Sequence, residues 1–588
     1  MEFAAVESPT IAHAVAGRVA ERRFSEGGRS QSGDPRRMLR WLSLTLTAAL
    51  TIFLTVLVFR HPLNTNDGPV HVAFSHVMMT WHQASQPMQS RAYELALKPN
   101  PNLAVYLLMA WIMRLTSAGV AESLVQALCI VGPVAAGWFA LRMIAPKNSW
   151  LAIFIVPMTL NQMLFLGLYN HCIATGAFFL AIGTYYWLIK RPSIQRAVVL
   201  SAMLVLTYFC HASGFIMASA GIWTMVGLTA VREYRRYGQI RPLLTQQKYV
   251  LMAMLVELPL VALMLATGDK SDIAFGLNPY WRLKRFLELH LLSVNYPVYD
   301  RFAAVAISLL LLASGFVFLQ RTWKNSRGLS AERCNQALGA LLCIAMAFTI
   351  MMAFPDKLGG GWTHFRRFEI FPYFFTLLAL AFEDFSVWAM GGFMAVAFSA
   401  GAFLTGSTMI RQALIRDQLT PLFEADRHIA DHCTVLPIVL EDQPVVYYDP
   451  AWMDYQPYYQ SASRLELHGD RVVLFNYLAR LGPYPVHFQP TVEPQSEVFH
   501  WKPFQMDNHI TRIDLDQFEK DSRLSVDYVL VWGRVPLQKM QMQEQIWYTT
   551  GRFAMVYRSQ SGMVTLYQRL DKRNQFCAIG PGAAAPAK

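Results

Sequence analysis

Charge is what this sequence has least of. Of its 588 residues only 15% are Asp, Glu, Lys or Arg, while 54% are hydrophobic and the mean hydropathy is +0.27. Soluble domains carry roughly 25% charge, so an ordinary water-solvated fold of this length is excluded and a lipid-facing surface is required. The seven cysteines form no C-x-x-C pair or other ligand spacing, which speaks against a cysteine metal site. Cys129, Cys172, Cys210 and Cys343 lie in or beside apolar runs, where cysteine serves as a small hydrophobe. Cys433 and Cys577 are left as the pair able to form a disulfide. There is no H-E-x-x-H, no solenoid repeat and no A-x-A cleavage site after the first apolar run, so a cleaved signal peptide is not expected.

What fills the chain instead is a series of apolar runs of about 17 to 22 residues, the length needed to cross hydrocarbon as a helix. They are Trp41–Phe59, Val125–Leu141, Trp150–Leu166, Cys172–Ile189, Ala197–Phe215, Val250–Ala266, Ala303–Leu319 and Ala337–Phe354, with two more inside Ile370–Ile410 on either side of Glu383 and Asp384. With no water to satisfy their backbone groups, helix is the expected structure. The pattern changes after Arg411. Short apolar stretches at Val435–Leu440, Val472–Phe475, Val526–Trp532 and Met563–Tyr567 read as strands, with helical patterns at Gln412–Asp431 and Phe475–Leu481 between them. The expected fold is therefore a polytopic α-helical membrane protein of about ten to twelve transmembrane helices with a C-terminal extracytoplasmic α/β domain. Its parts are a disordered basic cytoplasmic tail over 1–40, a membrane domain over 41–410 and a soluble domain over 411–588.

The formal charge of +12 sits largely in the tail and the short loops, so it reports topology and implies no nucleic-acid partner. Basic clusters at Arg142–Lys147, Lys190–Arg196, Arg232–Lys248 and Arg321–Arg333 belong on the cytoplasmic side of an inner membrane. Gly167–His171, His211–Gly214, Gly268–Arg301, Pro355–Glu369 and the C-terminal domain then face the periplasm. One parity problem stands. Arg36–Arg40 place His61–Asn100 outside, yet two apolar segments, Leu103–Leu115 and Val125–Leu141, precede the inward Arg142. Either one of them is re-entrant or an amphipathic helix near Val70–Trp81 enters the membrane.

The unusual polar residues all fall on the outward side. Asn66-Asp67-Gly68-Pro69-Val70-His71 follows the first helix, and Pro at a first helical position predicts a helix over Val70–Trp81, lying along the interface with His71 on its first turn. Asp67 at that helix start is either a base or metal ligand held ionised by the helix dipole, or an aspartate that only caps the helix. Gly167-Leu168-Tyr169-Asn170-His171 and His211 near another outer helix end supply further candidates for substrate contact. Polar groups there also serve to satisfy orphan backbone groups. Pro355-Asp356 with Gly359-Gly360-Gly361 and the pair Arg366-Arg367 frees backbone for close approach and offers forked phosphate contacts. Anchoring to headgroups is the alternative role of those arginines. Tyr280–Phe286, with Arg282 and Arg285, reads as an amphipathic helix on the outer interface, binding lipid headgroups or a lipid phosphate. Tyr447, Tyr448, Trp452, Tyr455, Tyr458 and Tyr459 form either a sugar-stacking surface or the soluble core.

The chain resembles the GT-C class of polytopic membrane glycosyltransferases, in particular bacterial proteins with a D-G-P-x-H motif after the first helix and a later G-[FL]-Y-N motif. Here these are Asp67-Gly68-Pro69-Val70-His71 and Gly167-Leu168-Tyr169-Asn170, and a P-D-x-L-x-G-G stretch with following Arg is similar as well. The resemblance implies an inverting glycosyltransferase acting on a polyprenyl-phosphate-linked sugar and an acceptor glycan, lipid or protein. Asp67 would be the catalytic base or a ligand to a divalent metal, Mg or Mn. His71, Tyr169, Asn170, His171, His211, Arg282, Arg285, Asp356, Arg366 and Arg367 would contact substrate. Many members carry an adjacent acidic pair where this chain has Asn66-Asp67. Two rivals explain part of the pattern: a transporter or flippase of a lipid-linked glycan, which should have broken helices or ionisable residues at midplane, and a non-catalytic polysaccharide-assembly subunit.

Overall fold

The computed structural model describes residues 34–81, 83, 85–238, 241–267, 273–275, 278–324, 331–358, 364–439, 455–474, 476–480, 484–492, 515–533 and 551–571. Most of the basic tail expected to be disordered lies outside the described residues, as do Gly359–Gly361, Tyr447, Tyr448, Trp452 and Cys577. In chain order the elements of the helical part are α1 Pro35–Arg60, α2 Gly68–Thr80, β1 Tyr93–Leu95, α3 Ala104–Met113, α4 Ala118–Ile144, α5 Tyr169–Lys190, α6 Ile194–Cys210 and α7 Ala212–Tyr237. There follow α8 Arg241–Met254, α9 Glu257–Thr267, α10 Pro279–Leu287, α11 Pro297–Lys324, α12 Ala331–Ala353, α13 Phe371–Leu380 and α14 Val387–Asp426.

Eight stretches among the described residues are long and apolar enough to cross a membrane: α1, α4, α5, α7, the α8–α9 pair, α11, α12 and α14. The 17-residue α6 is a shorter apolar helix that returns the chain between α5 and α7. Two further crossings are broken. Residues 146–165 pass as a 3₁₀ helix, Pro146–Phe154, and two short α turns, while 365–380 pass as a 3₁₀ turn followed by α13. Irregular backbone at membrane depth is tolerated only inside protein, and both stretches are buried nearly throughout. With α6 and these two stretches the described residues offer eleven candidate crossings, eight of them of full length, inside the expected range. Lys147 pairs with Asp384 and Arg321 with Glu383, so loops assigned to one side do meet there.

The parity problem is settled by length. Helix α3 has 10 residues, about 15 Å at 1.5 Å per residue, half of what a crossing takes, so α4 alone makes the passage. The expected interfacial helix forms as α2 but does not lie on a surface: Val70, Val72, Phe74 and Val77 are all fully buried. A helix buried on nearly every face is a core helix, and α2 is roofed by the C-terminal sheet domain.

Helix α14 runs through Arg411 without a break to Asp426, so the helical pattern at Gln412–Asp431 is largely its continuation. Beyond it a five-stranded mixed sheet forms in the order β3-β2-β5-β7-β6, with β2 Cys433–Val439, β3 Arg471–Val473, β5 Tyr528–Trp532, β6 Phe553–Arg558 and β7 Val564–Arg569. Strand β2 pairs in parallel with β3 and β5, and β7 antiparallel with β5 and β6. The period of 2 divides the central strands between two cores. Tyr528, Leu530 and Trp532 join the core of the helical bundle, while Val529 and Val531 pack with Val70, Phe74, Tyr93 and Tyr106 of the segment between α1 and α4. That segment is also stitched in by hydrogen bonds. Strand β1 pairs antiparallel with β4 Val486–Phe488, and the Asp470 carboxylate accepts from the Met88 and Gln89 N–H groups at 2.7 and 2.9 Å. Cys433 is buried with its thiol against the Ala430 carbonyl.

Candidate functional site

Two glycines bring the two sequence motifs into one body. Gly167 has φ +79°, and a Cβ there would lie 2.4 Å from the Gly68 nitrogen and 3.0 Å from the Asp67 nitrogen. A Cβ on Gly68 would lie 2.1 Å from Thr65 Oγ1 and 2.4 Å from the Tyr169 hydroxyl. Only glycine permits this approach. It is fixed by Asn66 N–H donating to Phe165 O at 3.1 Å and Asp67 N–H to Leu166 O at 3.0 Å.

Beneath the junction lies a polar network inside the bundle. The Tyr169 hydroxyl meets Thr65 Oγ1 at 3.0 Å, Gln126 Nε2 at 2.7 Å and Glu122 Oε1 at 3.1 Å. Glu122, fully buried on α4, is gripped by both Arg464 terminal nitrogens at 2.8 and 3.1 Å. Arg464 comes from the soluble domain, so this two-toothed ion pair locks domain to bundle directly under Asp67. Asn66, standing where an acidic pair would put its second carboxylate, accepts the Gln456 N–H at 2.7 Å and is thereby another docking residue. Asn170 Oδ1 accepts from Val105 N–H at 3.1 Å, satisfying the start of α3.

Asp67 occupies the N-cap position of α2, yet its side chain makes no capping hydrogen bond. It is 8% exposed. The helix start is provided by backbone alone, with His71 N–H donating to Asp67 O at 3.0 Å. On the same helix start His71 packs with two tyrosine rings. His71 Nδ1 meets the Tyr106 hydroxyl at 2.6 Å, and Tyr484, from the soluble domain, stacks 6.4 Å from the His71 ring and 6.4 Å edge-on from Tyr106. Burial pushes the His71 imidazole down to about 3 against an opposing hydrogen bond to the Gly167 backbone, so it is neutral at physiological pH. The Tyr484 hydroxyl is raised by burial first and by the Asp67 charge second, while the Arg367 charge opposes both. Asp67 and Arg367, 300 residues apart in the chain, therefore act on one phenol.

Arg367 is steered by His211. Its Nη1 lies 2.9 Å from His211 Nε2, and a guanidinium has no lone pair, so the imidazole is the acceptor. Ser213 Oγ bridges the rings, 2.9 Å from His171 Nδ1 and 2.8 Å from His211 Nδ1. His171, His211 and Arg367 are thus one cluster, with Arg366 beside Arg367 on the 3₁₀ turn Phe365–Phe368.

Arg282 and Arg285 are held in two ion pairs next to that turn, with Arg282 and Arg366 both over the Phe365 ring. Helix α10 is amphipathic with its sense inverted: Tyr280, Trp281 and Leu287 are exposed, while both arginines face inward. Arg282 pairs with Asp356 at 3.0 Å and donates to the Met352 and Phe354 carbonyls. Arg285 pairs with Glu369 at 3.1 Å and reaches Gln162 Oε1 at 3.2 Å. A lipid-facing surface exposes apolar side chains and turns charge inward, which is why the soluble-protein pattern reads backwards here.

Sequence reasoning missed Tyr106, Glu122, Gln126, Arg464 and Tyr484. A carboxylate opening an otherwise apolar helix was the one available signal, at Glu122. The donor set at Asp67 does not suit magnesium or manganese: Glu122 is ion-paired, Asn66 is spent on Gln456, and His71 on Tyr106. Among the described residues no group of three or more His, Cys, Asp or Glu side chains could hold a metal.

No family model matches the sequence, and no curated protein matches it. Among solved structures the fold is similar to that of ArnT from Cupriavidus metallidurans in the apo state, with a TM-score of 0.51 at 11% identity over 90% of this chain and 98% of that one. The same protein bound to undecaprenyl phosphate gives 0.49 at 13% identity over the same shares. The Archaeoglobus fulgidus oligosaccharyltransferase in the apo form gives 0.42 at 11%, covering 91% of this chain and 75% of that one. Of these, the apo ArnT likeness bears on architecture, and on architecture alone: a GT-C-like helical membrane fold with a C-terminal sheet domain.

Proposed function

We propose that this chain is a membrane glycosyltransferase that moves a sugar from a polyprenyl-phosphate-linked donor to an acceptor glycan, lipid or protein on the membrane face that carries the sheet domain. The observation that carries the reading is Asp67: a buried carboxylate at a helix start, whose charge acts on Tyr484 and whose side chain is not used to cap the helix. An aspartate kept only for capping would make that bond.

In this reading Asp67 takes the proton of the acceptor hydroxyl as its oxygen attacks the anomeric carbon. The bond from that carbon to the phosphate oxygen breaks on the opposite face, so the configuration inverts and the lipid phosphate leaves with the electron pair. Arg367, held by His211, and its neighbour Arg366 stabilise the charge gathering on the phosphate. Tyr484 brings the soluble domain to the reacting centre and closes it from water. No step is assigned to a metal. The site faces the periplasm if the basic loops obey the positive-inside bias.

One observation favours a second reading. The two broken crossings, 146–165 and 365–380, both end at this site, and a carrier for a lipid-linked glycan would use such segments. Complementation with lipid extraction separates the two. With Asp67→Asn expressed and inserted like wild type, transfer predicts loss of the glycan product and accumulation of a lipid-linked sugar. Unchanged product would leave Asp67 a structural residue and move the carrier to the front.

A further inference from the structure

Arg411 stands out because no partner among the described residues accounts for it. It is 6% exposed on the buried face of α14, and its Nε and Nη1 atoms have no hydrogen-bond partner. Every neighbour along that face is engaged. Ser407 donates to Asp300, Thr408 Oγ1 accepts from Asn295 Nδ2 at 2.9 Å, and Gln412 accepts the Asn64 N–H at 2.7 Å while donating to the Tyr455 hydroxyl at 2.6 Å. Tyr455 in turn donates to Asn64 O at 2.6 Å, and the Arg411 charge reaches that hydroxyl. The arginine thus lies where the last helix, the soluble domain and the segment leading into Asp67 meet. Asn64 is three residues from Asp67, at most about 11 Å of extended chain.

A guanidinium taken out of water without a counter-charge is strongly unfavourable, and folds remove such a group unless something compensates it. Among the described residues no carboxylate pairs with Arg411, and its Nε and Nη1 meet no acceptor. We propose that Arg411 is the cationic floor of a phosphate-binding subsite beside Asp67, distinct from the Arg366–Arg367 pair. Its flat fork of donors matches phosphate oxygens. The same chemistry belongs to a lipid-linked phosphate and to free phosphate, and the lipid source rests on the reading given above.

Thermal unfolding and binding of the full chain in nanodiscs test this with three probes: a polyprenyl phosphate, the uncharged polyprenol and inorganic phosphate. For wild type, polyprenyl phosphate raises the unfolding midpoint and polyprenol does not. In Arg411→Gln the affinity falls by about tenfold or more, the loss of a charge-assisted contact, and Arg411→Lys, which keeps the charge without the fork, lies between. If Arg411→Gln does not fold, the Lys variant carries the test, with weakened binding expected of it. An Arg411-dependent response to inorganic phosphate but not to the lipid upholds the subsite and removes the lipid donor. Equal lipid binding by wild type and variants overturns the subsite and leaves the donor reading intact, whereas no response to either phosphate overturns both.

Discussion

Arg282 and Arg411 are both buried arginines, and the protein treats them in opposite ways. Arg282 is clamped by Asp356 and two carbonyls. Arg411 has two buried nitrogens with no partner. A buried charge that is fully paired belongs to the architecture, since removing either partner strands the other. A buried charge without a partner is positioned for something that arrives. Burial alone, which the two share, says nothing about function; the partner count does.

That contrast can be broken most severely at Arg282. Arg282→Met should cost about 3–5 kcal/mol by stranding Asp356, and Arg282→Met with Asp356→Leu should recover most of the loss in chemical denaturation. Arg411→Gln should leave the unliganded protein at least as stable as wild type. Equal destabilisation by both single variants would erase the distinction.

A second prediction concerns a buried acid that is only half satisfied. Glu466 accepts from Tyr93 and from Val473 N–H, and its Oε2 has no partner. Burial raises its carboxyl from 4.5 to about 7. The folded state then holds this proton more tightly than the unfolded state, so the contribution of this one group to stability is fully present below pH 4.5 and falls as pH rises to about 7, by about 3 kcal/mol. Glu466→Gln should flatten that slope in a pH series of unfolding midpoints, and an unchanged slope would assign it to other groups.

Smaller effects are expected at the junction. Gly167→Ala forces a left-handed residue and a clash with Gly68, costing about 1–3 kcal/mol, read as a lower unfolding midpoint with transfer lost in parallel. Tyr484→Phe removes one hydroxyl from a half-buried ring, so the midpoint should hardly move while transfer falls by about tenfold, near the worth of one hydrogen bond. A Tyr484 variant that unfolds instead would make the residue a domain fastener.

The architecture was legible because it is written in local pattern: an apolar run of sufficient length has one answer in lipid, and the strands at Val435, Val472, Val526 and Met563 recur near their predicted places. The motifs around Asp67 and Gly167 were legible for the same reason, since turn chemistry is local. Their contact was not, because it depends on two missing Cβ atoms 99 positions apart. Tyr484, in the sequence Gly-Pro-Tyr-Pro, and Arg464 carry no signal in their own surroundings. Helix α2 was misplaced for a physical reason: an interface and a roofing domain both favour an apolar helix after a Pro start, and only the tertiary structure tells them apart. For α10 the amphipathic pattern was right and the direction of its charged face depended on which solvent surrounds it.

The central claim is that the Asp67 carboxylate does chemistry on a phosphate-linked sugar. Its most direct test is release of polyprenyl phosphate from a polyprenyl-phosphate sugar by the purified protein in proteoliposomes, wild type against Asp67→Asn, at matched unfolding midpoints. The account predicts release that depends on acceptor in wild type and is reduced by at least about 100-fold in the variant, the scale of a lost general base. Equal release by both proteins would contradict it.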